Sequence, residues 1–214
     1  YIDVRDGTRS FERLAAYQLV AVGFATTKDE LAQRRVGVAS TENLLDASGV
    51  TPRLGRWFRA DENAVIGRNP VVVLAYDTWT DQFGADQNVI DRGVRLSAIE
   101  FTVIGVGREG FTGLDPYVRP GFFVPLAMAP SLNLSAPADA LERRDVRWLR
   151  VKGRLKADVT MAQARQDVAS VAAALEKRYP ATNRGFGFTV QTELESRTTD
   201  TTDTLLVTVL MTLS

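Results

Sequence analysis

Cysteine and histidine are both missing from the 214 residues of this chain. Their absence removes thiol chemistry, disulfides, Cys/His zinc centres and every mechanism that moves a proton through imidazole. A cysteine-free chain is compatible with an oxidising compartment without establishing one. Net charge is missing as well, because 26 Lys and Arg balance 26 Asp and Glu. No dense basic cluster stands out, and the aromatic residues are not interleaved with cations. Nucleic acid would lack the positive surface that supplies most non-specific affinity, so no nucleic-acid partner is expected. A full membrane-spanning run is also lacking. Leu205–Leu213 is uncharged and apolar, but far shorter than the roughly 20 residues a spanning helix requires. It reads either as a buried C-terminal helix or as the first turns of a membrane helix cut short. The sequence opens on Tyr1 rather than Met, and no signal-peptide pattern is expected within it.

What is present is ordinary for a folded protein: 45% hydrophobic and 24% charged residues. The length suits one large domain or two small ones sharing a core. Gly7–Tyr17 reads as a short helix with Phe11, Leu14 and Ala15 on one face. Leu19–Thr26 and Arg35–Ala39 read as a hairpin around the polar Thr27–Gln33, and Thr41–Ser48 as a short helix closed by Gly49. Residues 50–69 read as a connection. Val71–Leu74 is a β-branched strand; Tyr76, Trp79 and Phe83 then mark one helical face, with Gly84 at its stop. Val94, Leu96, Phe101 and Val103 alternate with polar residues on either side of a turn, the pattern of a hairpin. Phe122–Val124 is a further strand, residues 133–145 a loop, and Val146–Arg154 a strand. Thr160 and Gln163 form a capping box ahead of a helix whose stripe is Val168, Ala172, Leu175 and Tyr179, with Pro180 as its stop. Phe186–Thr192 reads as the strand that follows.

Several motifs invite a chemical reading. Gly105, Gly107 and Gly110 spell G-x-G-x-x-G after a strand, the spacing that brings a helix N-terminus to a pyrophosphate. A helix should open at once, yet Gly113, Pro116 and Pro120 follow, and no acidic ribose partner lies about 20 residues on. The glycines are better read as permitting a bend at a strand end. Asp61–Glu62 and Asp77 with Asp81 are the tempting carboxylate pairs, but paired catalytic carboxylates need a raised pKa and a cleft. A solvated surface is the expectation for them. Asp200 and Asp203 lie in a Thr-rich tract read as a polar cap on the apolar run. Serines lack a G-x-S-x-G elbow, and no Walker A lysine motif is present. Trp57, Trp79 and Trp148 read as core anchors. Arg56, Arg59, Arg143, Arg144, Arg147 and Arg150 read as solvated charge. No catalytic, cofactor-binding or metal-ligating residue is expected, and the chain is not expected to be an enzyme.

The order strand, aromatic helix, turn, two strands over Val71–Val106 resembles the extracytoplasmic core domain of MacB-like ABC transporter permeases, of the FtsX/MacB type. That family runs from a VVVLS-like strand through an aromatic helix ending in FGGD, then VIG, a strand, a turn and TVIGV. The matching pieces are Val71–Ala75, Trp79, Phe83–Asp86, Val89–Ile90 and Thr102–Val106. Ser40–Glu62 is similar to the family's S-x-N-F-F, L-G-V, P-x-x-G-R-x-F, E-D run. Tyr1–Tyr17, with Ser10–Phe11 and Leu14–Ala16, fits its opening segment. Two departures stand out: Asp91 replaces a usual Gly, and Ser97–Ala98 replaces a common Asn-Gly. A type I′ turn needs φ > 0 at both central residues, which would burden Ala98.

The resemblance implies an α+β fold. Residues 1–56 and 146–199 would form a discontinuous α/β porter-like subdomain, 57–145 an inserted β-rich subdomain, and 204–214 the start of a truncated transmembrane helix. It also implies a non-catalytic periplasmic domain at the bacterial inner membrane, tethered by flanking helices. The implied partners are a cytoplasmic ATP-binding subunit or domain, a second permease in a homodimer or heterodimer, and a periplasmic partner or substrate. ATP-driven motion would be transmitted to handle or export substrate outside the inner membrane. The alternative is a soluble secreted or membrane-tethered ligand-binding or sensor ectodomain.

Overall fold

The structure is a computed structural model that describes residues 1–44, 49–113, 118–132, 137–196 and 205–209, the last stretch for its backbone. Its elements in chain order are α1 (Ile2–Gly7), β1 (Phe11–Ala25), β2 (Gln33–Ser40), β3 (Leu54–Gly55), β4 (Val71–Leu74), α2 (Tyr76–Phe83), β5 (Gly93–Leu96) and β6 (Ile99–Val106). They continue with β7 (Phe122–Pro125), α3 (Ala129–Leu132), β8 (Arg150–Leu155), α4 (Met161–Arg178), α5 (Pro180–Asn183), β9 (Phe188–Thr192), α6 (Glu193–Ser196) and β10 (Leu205–Val209). The fold is α+β. It divides into two compact units, one of residues 1–16 and 142–214, the other of residues 17–141.

The unit of residues 17–141 is a ring of strands. β1 pairs with β2 antiparallel from Tyr17↔Ser40 to Phe24↔Gln33, and β2 pairs with β7 in parallel. β7 pairs with β4, β4 with β6, β6 with β5, and β5 returns to β1 at Phe24 and Ala25. Six strands therefore close on themselves, which leaves the barrel no free edge. Adjacent side chains on a strand face opposite ways, and β7 shows it. Phe122 stacks on Phe24, 6.3 Å between ring centroids, whereas Phe123 packs on Trp57 and Phe111 at 5.2 and 5.4 Å. Phe24, Leu96, Phe101 and Phe122 are fully buried. Each such side chain contributes about 1.5–3 kcal/mol of burial. A Cβ on Gly37 would lie 2.2 Å from Phe122 Cε2, so the Phe122 ring occupies the space a side chain would need there.

The expected β4, α2 and hairpin all form. Gly84 ends α2 at φ 58, in the left-handed region glycine favours. The turn between β5 and β6 avoids the type I′ geometry that would burden Ala98: of its two central residues only Ser97 is left-handed, at φ 57. Ala98 is spared the burden. Asp91, where the family has Gly, is left-handed too, at φ 67. Of the connection over residues 50–69, Leu54–Gly55 forms the short β3 against the end of β6. Of Thr41–Ser48, residues 45–48 lie outside the described residues.

Residues 17–56 were expected with the porter-like part, but they belong to the barrel unit. The reason is long-range pairing: the β1–β2 hairpin is held by β7 and β5. The helix expected over Gly7–Tyr17 is also displaced. The helix is α1, and Phe11–Ala25 is one 15-residue strand in which Leu14, Ala15, Ala16 and Tyr17 are all buried.

The other unit joins α1 and the start of β1 to β8, α4, β9 and β10. Its strand order is β1-β8-β10-β9, with β10 parallel to both neighbours. A Cβ on Gly153 of β8 would lie 2.5 Å from Leu14 Cδ2, which shows how closely β8 lies against β1. The capping box forms: Thr160 N–H donates to Gln163 Oε1 at 2.8 Å and Gln163 N–H donates to Thr160 Oγ1 at 3.3 Å. α4 buries Ala164, Val168 and Ala172, spaced one turn apart. Asp167 accepts from the backbone N–H of Arg9 (2.7 Å) and of Ser10 (2.9 Å), tying α4 to the turn after α1. The apolar run Leu205–Leu213 was expected to be helical. Residues 205–209 are instead the strand β10, filling a slot between two parallel strands, and residues 204 and 210–214 lie outside the described residues. The consecutive β-branched Val207, Thr208 and Val209 suit a strand with a partner on each side. Among the described residues no helix is long and apolar enough to cross a membrane.

Candidate functional site

The most tightly built polar constellation in the barrel unit is Arg56, Arg59 and Glu62. Glu62 sits in a 3-10 turn over Ala60–Asn63 and is only 6% exposed. Its carboxylate accepts from Arg56 Nη1 at 2.9 Å, Arg56 Nη2 at 2.7 Å and the Arg59 backbone N–H at 2.7 Å. The Arg56 hydrogen bond, joined by the Arg59 N–H, holds the Glu62 carboxyl below its ordinary range against the opposing effect of burial. The same turn carries Asn63, which donates to the Ser40 carbonyl (3.3 Å) and Glu42 (3.0 Å) and accepts from Ala127 N–H (3.2 Å). Trp57 stacks on Phe58, 4.6 Å between centroids, beside this node.

A general acid needs a carboxyl that keeps its proton near neutral pH. Glu62 is arranged the opposite way, as a carboxylate fixed by a bidentate guanidinium. Its geometry is that of a staple between the 3-10 turn and the segment after β3, while Asn63 ties the same turn to the end of β2. The expectation of a solvated Asp61–Glu62 pair therefore holds for Asp61, which is exposed, and fails for Glu62. Nothing in the spacing Arg56 to Glu62 announces a buried pair; the one trace in the sequence is a charge abutting Trp57 and Phe58. A second buried ion pair was equally illegible: Lys152 of β8, 5% exposed, donates to Glu193 at 2.8 Å.

The other candidates disperse. Asp77 and Asp81 are exposed on α2, while Asp200 and Asp203 lie outside the described residues. Among the described residues no group of three or more acidic side chains is placed to hold a metal ion. The G-x-G-x-x-G glycines serve backbone packing. A Cβ on Gly105 would lie 2.3 Å from the Arg56 carbonyl oxygen, Gly107 N–H donates to the Leu74 carbonyl at 2.7 Å, and Gly110 makes a turn at φ 73. Trp79 is buried and donates through Nε1 to the Asp86 carbonyl at 2.8 Å. The arginines read as solvated are partly engaged: Arg143 pairs with Asp145, and Arg144 pairs with Asp3 while lying over the Tyr179 ring. Arg147 lies 3.6 Å from the Phe186 ring centroid.

Comparison with known proteins gives this fold a context. The periplasmic region of MacB from Actinobacillus actinomycetemcomitans superposes with a TM-score of 0.57 at 15% identity, over 85% of this chain and 75% of that one. A domain of a putative permease protein from Porphyromonas gingivalis gives 0.57 at 15% identity, over 82% and 74%. The extracellular domain of the noncanonic ABC-type transporter YknZ from Gram-positive bacteria gives 0.58 at 13% identity, over 84% and 83%. At such identities the likeness is one of fold. No curated protein matches the chain. The family model for the MacB-like periplasmic core domain matches residues 3–171, and the chain belongs to that family.

Proposed function

We propose that this chain is a non-catalytic extracytoplasmic domain of an ABC transporter permease in the bacterial inner membrane. It passes ATP-driven motion to substrate or a partner outside that membrane. The observation that carries the reading is the composition of one unit from residues 1–16 and 142–214. α1 is fastened to α4 by Gly7 against Val171 and by Asp167 on the following turn, and β10 is seated between β8 and β9. Force arriving from membrane segments flanking the domain would enter a single core from both sides. In this reading the cytoplasmic ATP-binding subunit or domain supplies the energy, and two permeases work as a dimer.

This chain has no cysteine of its own, so one introduced into it is the domain's single thiol, and the parent permease serves as the background control. Asp77→Cys, at an exposed position of α2, is introduced into the full-length permease. A membrane-impermeant maleimide is expected to label it in intact spheroplasts; labelling only after permeabilisation would refute the extracytoplasmic placement. Spin labels at the same position in the reconstituted dimer are expected to change separation between the ATP-bound and nucleotide-free states. A distance that stays fixed would leave the placement standing and remove the transmission of motion.

A further inference from the structure

We propose that the elbow between α4 and α5 is a binding surface for anionic phospholipid headgroups. This inference rests on the permease reading only for the presence of a membrane. The elbow is made by Tyr179, which ends α4 at φ −132 and ψ 61, and by Pro180, which starts α5. Lys177 and Arg178 end α4, Arg184 follows α5, and Arg147 reaches over from the segment before β8 to donate to the Thr182 carbonyl at 2.5 Å. Among the described residues no ion pair ties these four cations to a carboxylate, but two carboxylates lie nearby: Glu176 accepts from the Gly185 N–H at 2.9 Å, and Asp145 feels the charge of Arg147. In a chain of zero net charge, four cations against these two carboxylates still leave the elbow with a local excess of positive charge. The negative end of a helix accounts for cations in its last turn, here Lys177 and Arg178. It does not account for Arg147 or Arg184.

Aromatic rings sit among these cations. Arg178 lies 5.3 Å and Arg144 4.1 Å from the Tyr179 centroid, and the Arg147 guanidinium covers the Phe186 ring, which is itself 39% exposed. Arg144 in turn pairs with Asp3 of α1, whose neighbour Ile2 is 60% exposed. Guanidinium and ammonium groups meeting phosphodiesters, with an amphipathic ring and an aliphatic side chain at acyl depth, is the chemistry of a membrane interface. Phosphates attract each such cation at the surface, so several together are needed for measurable binding. α1, joined to this patch through Asp3, is the element that the permease reading connects to a membrane span.

Vesicle flotation of the chain at low salt tests this, using phosphatidylcholine with and without phosphatidylglycerol. Binding is expected only to the anionic vesicles, and Arg178→Glu with Arg184→Glu is expected to weaken it by at least about tenfold. Phe186→Ser is expected to weaken it further. Arg34→Glu with Arg108→Glu, a reversal at exposed positions of the barrel unit, is expected to leave binding unchanged. Circular dichroism melts confirm that each variant is folded. The proposal is overturned by an absence of vesicle binding, by equal loss in the Arg34/Arg108 control, or by capture of an acidic protein in place of anionic vesicles. Spheroplast labelling decides the permease reading separately, so either idea can fail alone.

Discussion

Arg56 grips Glu62 with two parallel hydrogen bonds, Nη1 to Oε2 at 2.9 Å and Nη2 to Oε1 at 2.7 Å. The carboxylate is nearly sealed from water, while the guanidinium side chain stays 39% exposed. The pair therefore has a buried acceptor and a partly hydrated donor. Losing the acceptor's charge strands less than it would in a fully buried pair. Glu62→Gln is expected to cost about 1.5–3 kcal/mol in urea unfolding, the range for a hydrogen bond to a charged group.

The same pair sets an acid limit. The folded-state pKa of Glu62 is depressed below the ordinary 4.5, with the Arg56 hydrogen bond as the largest cause. A depressed folded pKa means that the unfolded chain binds the proton first. The contribution is present above the unfolded value and is lost as pH falls through the folded one. Stability of the native chain is expected to decline from about pH 4.5 downward, and Glu62→Gln to remove part of that slope. An identical slope in the variant would mean that Glu62 carries none of it.

Gly37 and Phe122 form a tightly fitted pair in the barrel, where a Cβ would stand 2.2 Å from the ring. Gly37→Ala is expected to destabilise by about 1–3 kcal/mol, the cost of overpacking a filled core. Phe122→Leu alone is expected to cost as well, because it leaves a void. Together they should cost less than the sum, and a double-mutant cycle in denaturant measures that coupling. Strict additivity would show that the two sites do not share the space.

How much of this was legible depended on whether a segment's partners were close in sequence. The β5–β6 hairpin, α2 and α4 announce themselves through period, cap and stop, all of which are local. β1 does not, because Leu14 to Tyr17 are buried in succession and the alternation that marks a strand is erased. The apolar run at Leu205 misleads for the same reason, since a strand with neighbours on both sides has no polar period to show. The ring closure, and with it the place of residues 17–56, comes from pairings such as Val38↔Phe123, which no local pattern encodes. Glu62 was misread because a carboxylate's burial depends on a guanidinium arriving from outside its own turn.

The G-x-G-x-x-G run gives a prediction with two readings. The Gly105 Cα faces the Arg56 carbonyl oxygen, and backbone cannot swing aside as a side chain can. Gly105→Ala is expected to unseat β3 and cost about 3 kcal/mol or more. Nucleotide at millimolar concentration should leave the melting temperature of the native chain unchanged. A ligand of micromolar affinity would add about 4 kcal/mol under those conditions, so a clear upward shift would reinstate a nucleotide site.

The turn at Ser97–Ala98 separates two positions that sequence alone treats alike. Ser97 is left-handed at φ 57, and Asp91 at φ 67, whereas Ala98 is not left-handed. A non-glycine residue held in that region carries about 1–2 kcal/mol of strain, somewhat less for Asp. Glycine removes the strain but loses more backbone freedom on folding, roughly 0.5–1 kcal/mol. Ser97→Gly and Asp91→Gly are therefore expected to be neutral or to stabilise by up to about 1 kcal/mol. Ala98→Gly relieves nothing and is expected to destabilise by about 0.5–1 kcal/mol. Thermal unfolding of the three variants reads the sign directly. Stabilisation by Ala98→Gly in place of Ser97→Gly would mean that the turn is left-handed at its second central residue, as an Asn-Gly turn would be.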